Sequence, residues 1–188
     1  MSKRKSGTYK YLCLIAIVCS ASPLLGQFEC FSEKPDKYDE IFLIAGAITD
    51  LEPCWLKAQA LVENSTLDPY AESPAGALGC TQFLQGTWDE VMTTYRVQWK
   101  RTDCVASIFA QAFYMKEHVH FFLDKGMSRE EAWNFALASY NRGRYGLLRD
   151  IGDGVVKLTW NKVKESTAFE TVNYVRKTAQ RLLFWRRR

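Results

Sequence analysis

The stretch CVASIFAQAFYMKEHVHFFLDK, residues 104–125, carries Val105, Ile108, Phe109, Ala112, Met115, Val119 and Phe122 at steps of three and four. An α-helix turns once every 3.6 residues, so these side chains share one face that must be covered by other elements. The same period returns at Val172, Val175, Ala179 and Leu182, the expected inner face of a last helix. KYDEIFLIAGAITD (37–50) and CWLKAQALVEN (54–64) predict two earlier helices, with Pro53 suited to a first turn. Thr87 with Glu90, Ser128 with Glu131, and Thr167 with Glu170 have the spacing of capping boxes, and Gly126 and Gly143 stand where helices stop. Residues 65–79 form a polar, small-residue loop. No stretch alternates in the manner of a strand, so the expected class is mainly α.

The chain has 188 residues, enough for one domain with a core. It opens MSKRKSGTYK and continues YLCLIAIVCSASPLLGQ. A basic start, an apolar run and a small-residue exit read as a secretory signal over residues 1–26, cleaved after Gly26 or Ala21. An uncleaved anchor is the alternative. Residues 27–188 are then a single domain, ending in a basic tail, 181–188. Four of the 25 basic residues precede residue 26, and those beyond it balance all 21 acidic residues. Six basic residues crowd into 176–188, which leaves the body net acidic. That charge pattern argues against a nucleic-acid partner.

Cys13 and Cys19 fall in the signal, and Cys30, Cys54, Cys80 and Cys104 remain. An even number in an exported chain predicts two disulfides. Cys30 and Cys54 flank a predicted helix of roughly 14 residues, hence roughly 21 Å apart unless the chain before it folds back. The other two pairings stay open.

Glu63 follows Leu56 and Ala60 on an apolar stripe and sits in the last turn of its helix. Burial and the negative helix end both favour the protonated form, which a general acid needs near neutral pH. Beyond it, Pro74, Ala75, Gly76, Ala77 and Gly79 present little bulk, so backbone can approach a ligand closely. Gln82, Tyr140, Asn141 and Tyr174 add amides and aromatic faces suited to N-acetyl sugars.

Glu63, then SPAGALGCTQFLQGTW (73–88), ASYNRG (138–143) and ETVNYV (170–175), in that order, resemble the motifs of soluble-lytic-transglycosylase domains, a family similar in fold to goose-type lysozyme. The resemblance spans roughly residues 53–183. It implies a lysozyme-like helical fold with an active-site cleft, and cleavage of the β-1,4 bond between N-acetylmuramic acid and N-acetylglucosamine in peptidoglycan glycan strands, leaving 1,6-anhydromuramyl ends. It implies Glu63 as catalytic acid/base, Ser73 as the hydroxyl that orients it, and Gln82, Tyr140, Asn141 and Tyr174 as sugar-binding residues. The signal reading makes it an exported enzyme of the periplasm or cell envelope, and no cofactor is expected. A hydrolytic muramidase and a wall-binding protein with a decayed site are the alternatives. Asp68, Glu72 and Asp89 are the nearest candidates for a second carboxylate. The chain departs from the family pattern at Asn64, Cys80, Thr81, Arg142 and Arg144, and the two arginines are placed to narrow the cleft or meet a stem-peptide carboxylate.

Other chemistries lack support. His118 and His120 are two apart on a helix and face different ways, so no metal is expected. No nucleophile-elbow or phosphate-loop motif is present. The tail RLLFWRRR (181–188) has two readings: a helix end packed through Leu182 and then frayed, or an aromatic and basic contact with a membrane surface.

Overall fold

A computed structural model describes residues 28–31, 37–152 and 158–185. The secretory-signal reading and Arg186 to Arg188 therefore lie outside the described residues. Among those described, eight α-helices follow in order: α1 Asp39–Thr49, α2 Pro53–Glu63, α3 Gln85–Thr94, α4 Cys104–Asp124, α5 Arg129–Arg142, α6 Arg144–Ile151, α7 Trp160–Val163 and α8 Phe169–Trp185. Short 3₁₀ turns occupy Glu29–Phe31 and Lys164–Ser166. The only β pairing among these residues is a pair of isolated bridges, Glu72 with Leu78 and Leu78 with Phe83, inside the loop after α2. The mainly α expectation holds.

The long helix α4 is central, packing against α1, α2, α3 and α5. Its stripe is buried as the spacing predicts, except that Val105, in the first turn, is 39% exposed. Ile108, Met115 and Phe122 meet Phe42, Leu56, Phe135 and Leu137 in one core. A smaller cluster of Phe83, Trp88, Val91, Ala106 and Ala110 holds α3 to α4, with Tyr140 against it. Helix α2 lies between α1, α4 and α8, which places its C-terminal Glu63 at a junction of elements distant in sequence.

Helix starts divide the capping expectations. Ser128 caps α5 by accepting the Glu131 N–H at 3.2 Å. The Glu131 carboxylate does not close the box and instead accepts the Trp160 N–H at 2.6 Å, tying α7 to α5. Thr87 is no cap, because α3 starts two residues earlier, behind Leu84. Thr167 turns back to donate to the Val163 carbonyl, so it does not cap α8 either. Asp103, unread in the sequence, caps α4 by accepting from the Val105 and Ala106 amides. Gly126 and Gly143 end their helices with φ of +79° and +76°. The buried face of α8 is Thr171, Tyr174, Val175, Thr178 and Leu182, with Val172 and Ala179 at its margins.

Both disulfides form, Cys30–Cys54 and Cys80–Cys104, with Cα atoms 5.6 and 5.4 Å apart. The chain before α1 does fold back: Glu29–Phe31 packs on α2 and α8 and brings Cys30 to the start of α2. The second bridge ties the loop after α2 to the first residue of α4.

Candidate active site

The loop between α2 and α3 is built by backbone geometry that the sequence supports closely. Asn64, just after the helix, is buried, and its amide is fully engaged. It donates to the carbonyls of Asp68 at 2.8 Å and Gly79 at 3.4 Å and accepts from Thr66. Gly79 has φ +87°, and a Cβ there would run into the Arg101 carbonyl. Its smallness therefore serves packing against the chain before α4, rather than ligand approach. Gly76 has φ +79° with open space beside it, and Ala75 and Ala77 flank it on the cleft wall. Gln82 (φ +53°) turns its amide inward and donates to the Ala71 and Gly79 carbonyls, each at 2.9 Å. Thr81 bonds the Ser107 hydroxyl and carbonyl, so the polar Cys80–Thr81 pair anchors the loop to α4 twice.

A cleft of about 330 Å³ opens over this loop. Glu63, Ser73, Gln82, Tyr140 and Asn141 all line it, so five of the six sequence candidates converge on one space. Tyr174 stands behind Glu63 from α8, its hydroxyl near the carboxyl but short of strict hydrogen-bond geometry. Glu63 is half-buried. The protein packed round its carboxyl pushes its pKa from 4.5 up to about 7, and the nearby Tyr174 hydroxyl moderates the rise. The Ser73 hydroxyl accepts the Ala77 N–H at 3.1 Å and makes no hydrogen bond to Glu63, so the expected direct orientation of the acid by Ser73 is not formed. Tyr140 donates to the Thr81 carbonyl at 2.7 Å and packs edge-on against Phe83 and Tyr114. Burial, and secondly the Glu63 charge, raise both the Tyr140 and Tyr174 pKa values well above the usual range. Asn141 is exposed, and its Oδ1 accepts from Thr171 at 2.8 Å, joining the end of α5 to α8.

The two arginines are engaged elsewhere. Arg142 pairs with Asp150 at 3.0 Å, and the Arg144 guanidinium stacks 4.9 Å over the Phe121 ring. Neither lines the cleft. The carboxylates Asp68, Glu72 and Asp89 do not line it either: Asp68 accepts the Tyr70 N–H and Asp89 accepts from Gln85. The second carboxylate in the cleft is Glu170, which the sequence offered only as half of a capping box. Its spacing of four from Tyr174 on α8 puts both on one helix face, and that was the signal available. Phe83, Leu84, Thr87 and Tyr114 complete the lining.

Among the described residues, helices frame a cleft that holds one carboxylic acid of raised pKa among amides and aromatic rings. Residues 40–161 match the model of the transglycosylase SLT domain, and the chain belongs to that family. The match ends before α8, so Glu170 and Tyr174 join the site on geometry. The 70 kDa soluble lytic transglycosylase of Escherichia coli superposes with a TM-score of 0.67 at 21% identity, over 84% of this chain and 25% of that one. An inactive mutant of the lytic transglycosylase Slt from Pseudomonas aeruginosa superposes at 0.64 and 19% identity, over 95% of this chain and 28% of that one. These likenesses show the fold, and this chain spans about a quarter of the length of either structure. No curated protein matches the chain.

Proposed function

We propose that the protein is a peptidoglycan lytic transglycosylase, cutting the β-1,4 bond between N-acetylmuramic acid and N-acetylglucosamine. The observation that carries this reading is Glu63, held in the cleft with its pKa raised to about 7. Protonated, it donates to the glycosidic oxygen as the C1–O bond breaks. The resulting carboxylate takes the proton of the muramyl C6 hydroxyl, whose oxygen bonds to C1 and closes the 1,6-anhydro ring. One carboxyl group thus serves both half-reactions, and no water is consumed. Tyr140, Asn141 and Gln82 line the sugar subsites, with Ser73 on the loop wall. Release of soluble fragments from purified peptidoglycan tests this: the wild type releases them and Glu63→Gln does not.

Glu170 in the same cleft favours a second reading. Two carboxylates flanking a glycosidic bond suit hydrolysis, with Glu170 either taking a proton from a water that attacks C1 or itself bonding to C1 before water releases the sugar. That muramidase would leave a reducing muramyl end.

Two disulfides fit an oxidising compartment, and we place the enzyme in the periplasm or cell envelope. Among the described residues no helix is long and apolar enough to cross a membrane. At the end of α8, exposed Phe184 adjoins Lys177 and Arg181, and Leu183 beside it in sequence is also exposed, the composition of a contact with an anionic membrane face.

A further inference from the structure

Gln59 lies one helical turn before Glu63 on α2 and is wholly buried, yet neither amide atom has a hydrogen-bond partner. A position needing only packing would carry an apolar residue, as Leu56 does one turn earlier, because a buried amide without partners opposes folding. The Tyr174 hydroxyl, also buried, reaches towards both the Gln59 amide and the Glu63 carboxyl, short of strict geometry to either. Three polar groups from α2 and α8 thus meet in an otherwise apolar junction.

We propose that Gln59 is a positioning residue for the acid: its amide N–H donates to the Tyr174 oxygen and so turns the single phenolic proton towards the Glu63 carboxylate. A phenol has one proton. Once its oxygen accepts from Gln59, that proton is directed to the remaining acceptor nearby, which is Glu63. The bond matters most after the first half-reaction, when Glu63 has become a carboxylate and must be held for the C6 hydroxyl. The proposal rests on the reading of Glu63 as the catalytic acid.

The groups facing Glu63 can be separated. Tyr174 and Glu170 come from α8, Tyr140 from α5 and Tyr114 from α4. Lys57, on α2 itself, is turned away into a pair with Asp39 of α1. The three tyrosines are held above their usual range, so none of them competes with Glu63 for the titration near pH 7. Gln59→Leu leaves Glu170 in place, and Glu170→Gln is the control.

The test is the pH profile of kcat/KM on glycan strands. Loss of a hydrogen bond to the carboxylate raises the pKa of Glu63, so Gln59→Leu should move the basic limb up by roughly half a pH unit or more. Tyr174→Phe should do the same, and adding Gln59→Leu to it should move the limb no further. If Gln59→Leu does not fold, Gln59→Met, unbranched and of similar length, carries the same comparison. A basic limb unmoved in the folded variant, with Glu63→Gln inactive, overturns the role of Gln59 alone. An active Glu63→Gln overturns the premise and the proposal with it. A limb moved equally by Gln59→Leu in the wild type and in Tyr174→Phe also overturns it, since the effect would not pass through Tyr174.

Discussion

The Lys57 ammonium lies 2.6 Å from the Asp39 carboxylate, with the two side chains only 6% and 2% exposed. It also donates to the Cys30 carbonyl at 3.1 Å and sits over the Phe31 ring, so one buried charge joins α1, α2 and the segment before them. Lys57→Met deprives a buried carboxylate of its cation. The expected loss is about 3–5 kcal/mol of unfolding free energy, read from denaturant midpoints. A loss below about 1 kcal/mol, the range of an exposed pair, would show that the charges are not buried in solution.

Glu63 should make stability depend on pH. Its carboxyl titrates near 7 in the folded protein against an ordinary 4.5. Below 4.5 both states hold the proton and no penalty arises; between 4.5 and 7 the folded state holds more protons, so stability falls as pH rises. Glu63→Gln, which never ionises, should match the wild type at pH ~4. It should exceed it at pH ~8 by on the order of 1–3 kcal/mol, solvent in the cleft reducing the full linkage value. Equal stability at both pH values would mean that the carboxyl is solvated.

Activity should follow the same titration in the same direction. The protonated acid is needed for the first step, so kcat/KM should decline as pH climbs through about 7. A profile flat to pH ~9 would assign the proton donation to another group.

Gly79→Ala tests the loop. The position combines φ +87° with a Cβ path into the Arg101 carbonyl, so either backbone must shift. A loss of on the order of 2 kcal/mol or more is expected, with the cleft wall displaced. A melting temperature unchanged within error would show the loop to be far more pliant than its Asn64, Gln82 and Cys80 attachments imply.

The aromatic end of α8 predicts binding to anionic vesicles. Leu183 and Phe184 are 48% and 54% exposed, and Phe184 lies beside Lys177 and Arg181. Replacing both apolar residues by serine should reduce sedimentation with anionic vesicles at low salt, and high salt should weaken binding by the wild type. Equal sedimentation of the two proteins would remove the membrane contact and leave an ordinary helix end.

What could be read in advance follows from how local each signal is. The α4 stripe and the apolar stripe leading to Glu63 depend on spacing within one helix, and both are where that spacing puts them. Ser128 and Gly143 act within a turn of their own positions and were equally legible. Thr87 and Thr167 have the same local pattern as Ser128 but are claimed by other geometry, a helix that starts earlier and a carbonyl four residues back. Nothing local in the sequence marks Lys57 as buried, because its partners lie 18 and 27 residues away, on segments whose approach only the fold decides. Glu170 was hidden for a related reason: its place in the cleft depends on α8 crossing α2 and α5. Ser73 was expected against Glu63; its oxygen accepts the Ala77 amide within its own loop and its hydroxyl makes no bond to the carboxyl.

The most direct test is the mass of the muramyl ends released from purified peptidoglycan. If Glu63 works alone and the C6 hydroxyl is the nucleophile, the ends lack one water and cannot be reduced by borohydride. Those anhydro ends should be the main product of the wild type and absent with Glu63→Gln. Ends carrying the extra water, lost on Glu170→Gln, would contradict the transglycosylase account and assign hydrolysis to the Glu63–Glu170 pair.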